Sequence, residues 1–203
     1  MPREIAGLPR ELKNPGFGKE EELMLAYLFV LLGVSSRYLV ASHVAWLNFT
    51  AVGGSLLFFG ARRSWREMFI PLAALILSDY HLTVSHYGYA FHWKAYIITW
   101  AWYLMAMVLG QILLHAKTNF VRGAAGAILG PTSFFIASNY AVWAGGDLYP
   151  HSLDGLVACF VAAIPFYRND LLSTSLVLAA AFGIEAALRK LREPQAGIAP
   201  GAA

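Results

Sequence analysis

Apolar and polar residues fall along this chain in long blocks rather than in short periods. Apolar runs long enough for membrane-spanning helices lie at about 23–42, 68–84, 95–115, 123–144 and 171–188, with a shorter one at about 46–61. A helix needs roughly 20 apolar residues to cross a hydrocarbon layer, so the pattern predicts an all-α polytopic bundle of six transmembrane helices over residues 23–188. A further apolar run, Gly155 to Phe166, has only a dozen residues. It reads as a short interfacial or re-entrant helix at about 153–167, ending at Pro165. Within the 46–61 run, Asn48-Phe49-Thr50 and Gly53-Gly54 suggest a broken or tilted segment. Gly126 and Gly130 form a small-xxx-small pair for close helix approach.

Composition agrees: 58% of the 203 residues are hydrophobic and 13% charged, with mean hydropathy +0.54. Such a balance excludes an ordinary soluble domain. The isoelectric point near 9.0 does not imply a nucleic-acid partner, because the basic residues sit in clusters between apolar runs. All but Arg37, Lys94 and Arg168 of the 15 basic residues fall on one side of the expected topology. The positive-inside rule makes that side cytoplasmic, giving a multi-pass protein of the inner (cytoplasmic) membrane. Residues 1–22 are then a cytoplasmic lead-in and 189–203 a cytoplasmic tail. The single cysteine, Cys159, rules out an intramolecular disulfide and reads as a small buried apolar residue.

Chemistry gathers on the opposite side. Asp79 follows the apolar stretch FIPLAALIL, and an ionisable residue at that depth faces a protein interior or a wet cavity rather than lipid. All four aspartates and five of the six histidines (His43, His81, His86, His92 and His151) fall on this outer half. Asp79 is taken as the floor of a polar pocket, with His81, His92, Asn139, Trp143, Asn48 and Arg37 as further ligand-binding candidates. Plainer roles stand beside these. Asp79 and Arg37 suit a structural ion pair, and the histidines suit solvated loops, their spacing being poor for a metal site. The aromatics from Tyr87 to Trp102 suit an interfacial belt, and Asn139 and Trp143 suit helix packing. Ser42-His43 and Ser85-His86 are only sequence neighbours, which makes no triad. No phosphate loop or HExxH is present, so no enzyme is expected and no cofactor is indicated.

Asn48-Phe49-Thr50-Ala51-Val52-Gly53, Pro71-Leu72, Ser78-Asp79, Tyr149-Pro150, Gly155, Cys159, Ala162-Ala163-Ile164-Pro165-Phe166 and Asn169 together resemble a prokaryotic membrane family of unknown function. That family is similar in size, helix count and topology to the S components of energy-coupling-factor vitamin transporters, solitary cobalamin-type members included. The resemblance implies a substrate-binding protein for uptake of a small vitamin-like molecule captured from outside, with a membrane coupling subunit as a partner. Were the ligand a corrinoid, His92 would offer an imidazole nitrogen to cobalt. The first helix offers only Ala26 and Gly33 for docking such a subunit, at the wrong spacing for a clean stripe. The alternative is an accessory subunit of a larger membrane complex, docking through Gly126/Gly130 and Ala179/Gly183.

Overall fold

Three acidic side chains, Glu20, Glu21 and Glu22, open the first helix, α1 (Lys19–Ala41), where they complement the positive end of its dipole. Glu21 also accepts the Gly18 backbone N–H at 3.1 Å. The computed structural model describes residues 18–42, 49–115 and 119–192. Most of the expected lead-in, His43, Asn48 and the tail beyond 192 lie outside them. The described residues form α1, α2 (Val52–Arg62), α3 (Phe69–His81), α4 (Ile97–Leu114), α5 (Phe120–Gly145) and α6 (Leu153–Arg192), with no strand. Short 3-10 turns at Trp65–Met68 and Trp93–Tyr96 precede α3 and α4, and a π-helical turn at Leu82–His86 continues α3. Asn119 caps α5 by accepting the Arg122 N–H at 2.9 Å.

Five helical stretches are long and apolar enough to cross a membrane: Lys19–Ala41, Trp65–His86, Trp93–Leu114, Phe120–Gly145 and Leu153–Leu191. The chain is therefore a multi-pass membrane protein. The expected sixth span is corrected: α2 has 11 residues, roughly 16 Å at 1.5 Å per residue, about half of a hydrocarbon core. Every residue from Val52 to Ala61 is buried. A helix apolar on all sides belongs in the interior, and α2 is the centre of the bundle, wrapped by α1, α4 and α6.

Glycine makes that wrapping close. A Cβ on Gly60 would sit 1.8 Å from the Met107 carbonyl oxygen, and one on Gly110 would sit 2.0 Å from that of Leu57. Thus α2 and α4 touch backbone to backbone. On the other flank Gly33 lies against Ser55 and Val52, and Ala26 is fully buried, so the small residues of α1 pack within the chain.

The expected break at Pro165 is also corrected. The short run and the last span join into one 40-residue helix with Pro165 inside. Phe135 of α5 meets Phe160 at 5.2 Å and Tyr167 at 4.7 Å between ring centroids, and the Tyr167 hydroxyl is 2.9 Å from that of Thr132. These contacts clasp α6 on both sides of the proline, so the lost backbone donor does not end the helix, as bundle packing allows.

Ion pairs tie the two ends of the bundle. At one end Arg37 of α1 pairs with Asp79 of α3. At the other Glu185 of α6 pairs with Arg62 at 2.9 Å and Arg189 at 2.6 Å, and Arg189 reaches Glu22 of α1 at 2.7 Å. The start of α1 and the last turns of α6 therefore share one end.

Candidate functional site

Near the Arg37 end, between α2, α4, α5 and α6, lies a cavity of about 360 Å³. Its walls are aromatic: Trp102 and Tyr103 from α4, Phe134 and Phe135 from α5, Phe166 and Tyr167 from α6. Polar groups converge among them: Arg37, Thr50, Thr99, Ser138, Asn139 and Asp170. Apolar rings with a few placed polar groups are what small-molecule sites are made of.

The walls are held from behind. Trp102 donates its indole N–H toward the Gly130 carbonyl and the Ser133 hydroxyl, both at 3.2 Å, and its ring packs 4.7 Å from Phe134. Gly53 brings the α2 backbone against α6: a Cβ there would lie 2.6 Å from the Thr174 hydroxyl and 3.5 Å from an Asp170 carboxylate oxygen. Asp170 accepts the Thr174 hydroxyl at 3.3 Å. Among the described residues no basic group lies within ion-pairing distance of Asp170. A carboxylate with a hydroxyl partner and no counter-ion, in a cavity of rings, is the group best placed to receive a ligand N–H or cation.

Asp79 is not the cavity floor. It is 2% exposed, pairs with Arg37 and accepts the Trp100 indole N–H at 2.9 Å. Arg37 in turn donates to the Ser78 hydroxyl at 2.5 Å and the Leu75 carbonyl at 3.3 Å. The aspartate orients a guanidinium that lines the cavity. Of the candidates, Arg37 and Asn139 come together here. Asn139 is held by its side-chain donation to the Phe135 carbonyl at 2.7 Å.

Trp143 lies elsewhere: it donates to the Pro150 carbonyl at 3.0 Å and packs on His151, bracing the α5–α6 turn. The imidazoles do not converge. His81 is exposed beside Tyr38, His92 is exposed ahead of the 3-10 turn, and His86 lies 3.0 Å from the Ala41 carbonyl. His81 ends α3, His86 lies in the π-helical turn and His92 in the loop after it, and none of them lines the cavity. Asn48 is outside the described residues.

Two features went unread in the sequence. Asp170 looked like a loop aspartate because a helix break was expected at Pro165. On a continuous helix it is an ionisable residue inside a membrane-spanning stretch, and the depth rule that singled out Asp79 applies equally. The second is a larger cavity of about 870 Å³ at the Glu185 end, lined by α5 and α6 with the ends of α2 and α4.

In comparisons with known proteins, a model described as a family of unknown function (DUF6580) matches residues 18–196. No curated protein and no solved structure matches the chain.

Proposed function

We propose, from the premise that this chain belongs to DUF6580, a family of unknown function, that its function lies in its own cavity. The cavity beside Arg37 captures a small, ring-bearing, vitamin-like molecule for uptake. Basic residues cluster at the Glu185 end, so the positive-inside rule puts that end and both termini in the cytoplasm. The capturing cavity then opens on the outer half of the inner membrane. One observation carries the reading: six aromatic side chains surround Asp170 and Arg37 in one space.

The chemistry follows from that lining. A ring stacks or meets edge-to-face with the aromatic walls, each good pairing adding about 0.5–1.5 kcal/mol beyond area burial. Asp170 takes a ligand N–H or cationic group, while Arg37 and Asn139 offer donors to a carbonyl or carboxylate edge. The volume is at the low end of the range for drug-sized ligands, which favours one or two rings over a corrin macrocycle. His92 stands outside this lining, so a cobalt-ligand role for it has no support here. The accessory-subunit reading loses one of its stripes, since Gly126 and Gly130 face Leu114 and Leu57 of the same chain.

The test is a thermal-shift panel of one- and two-ring vitamins on the detergent-purified protein. A true ligand at about 100 times its Kd adds roughly 2.7 kcal/mol, or about 5–10 °C for a chain of this size. Asp170→Asn should weaken the apparent affinity at least about tenfold, a loss of roughly 1.4 kcal/mol. A flat response across the panel would count against capture.

A further inference from the structure

The two cavities share one seam. On α5 the smaller is lined from Pro131 onward and the larger up to Ala127; on α6 the smaller is lined up to Asp170 and the larger from Ser175. At 1.5 Å per residue the gap between linings is roughly 6 Å on α5, 7.5 Å on α6 and 12 Å on α2, so the separation is thinnest between α5 and α6. On α2, Gly53 faces one cavity and Ala61 the other.

Leu57 on α2 and Thr174 on α6 lie between the two linings. Both are fully buried. Leu57 presses on Gly130, where a Cβ would come within 3.2 Å of its Cδ1, and Thr174 presses on Gly53. Beyond them the larger cavity ends in charged groups, Arg62, Glu185 and Arg189. Ionisable linings at both ends, separated where Leu57 and Thr174 lie, are how a path across a membrane protein is marked.

We infer that this seam is a transmembrane passage closed by Leu57 and Thr174, so that the chain alone offers its captured ligand a route to the opposite face. The inference rests on the uptake reading for its direction and for the class of molecule carried, a small polar ring compound.

The test uses the full chain carrying Cys159→Ala, in sealed vesicles, with a membrane-impermeant cationic methanethiosulfonate added to one face at a time. Ser138→Cys in the smaller cavity should react from one face only, and Ala124→Cys in the larger from the other face only. Adding Leu57→Ala should raise labelling of each cysteine from its far face at least about tenfold. Leu57→Val, a cut of one methylene that folds more readily, should move labelling the same way by less, and it supplies the answer if the alanine variant does not fold. Reaction of both cysteines from the same face, or far-face labelling unchanged by Leu57 substitution in monodisperse protein, would overturn the passage. Ligand binding is scored separately by the Asp170-dependent thermal shift. Binding without far-face labelling leaves capture standing and removes the passage, and far-face labelling without binding does the reverse.

Discussion

Gly60→Ala and Gly110→Ala should each collapse the centre of the bundle, costing about 4 kcal/mol, toward the exceptional end for single substitutions. The new Cβ would lie 1.8 Å from the Met107 carbonyl oxygen in the first case and 2.0 Å from that of Leu57 in the second. Both obstacles are backbone, so no side-chain rotation relieves the clash. Instead α2 and α4 must move apart, and packed interiors give up well-placed contacts when they do. Because α2 is buried from Val52 to Ala61, its displacement also loosens α1 and α6. At about 2–4 °C per kcal/mol for a chain of this size, a melt followed by intrinsic fluorescence should fall by roughly 10 °C. Gly123→Ala is the matched control. A Cβ there meets nothing within 4 Å, and replacing glycine inside a helix adds up to about 1 kcal/mol, so its melt should hold or rise.

The second large effect separates structure from binding at the Arg37–Asp79 pair. Arg37→Ala leaves the Asp79 carboxylate buried with no cationic partner. Stranding one member of a buried pair costs about 3–5 kcal/mol, and the melt should fall accordingly. Replacing both as Arg37→Met with Asp79→Leu removes the two charges together and should restore most of that loss. Ligand affinity should not return with the fold, because the guanidinium lines the cavity and methionine offers no donor. A double variant that melts normally and still gives the full thermal shift would show that Arg37 is there for stability alone.

Much of the scaffold could be read from the apolar runs. The expected spans at 23–42, 95–115 and 123–144 lie close to α1, α4 and α5, because a lipid-facing helix must be apolar over its whole length. The Arg37–Asp79 pairing was legible for a related reason, two opposite charges at membrane depth having few other partners. What escaped had a tertiary cause. The length of α2 is set by neighbours that bury it, and Gly60 and Gly110 announce close packing only when seen facing backbone carbonyls. Pro165 signals a stop on its own, and the clasp of Phe135 on Phe160 and Tyr167 that overrides it joins residues far apart in sequence. That one misreading hid Asp170, which moved from a loop to a cavity wall once the helix ran through. Histidines clustered along the sequence, yet a π-helical turn and a loop sent their rings apart, which spacing alone does not reveal.

Capture of a small molecule beside Asp170 is tested most directly by native mass spectrometry of the protein released from lipid nanodiscs. The wild type should carry an adduct of one constant small mass in independent preparations, and Asp170→Asn should lose it while keeping its oligomeric state. A bare polypeptide mass in every wild-type preparation, or an adduct that Asp170→Asn retains in full, would contradict a ligand site in this cavity.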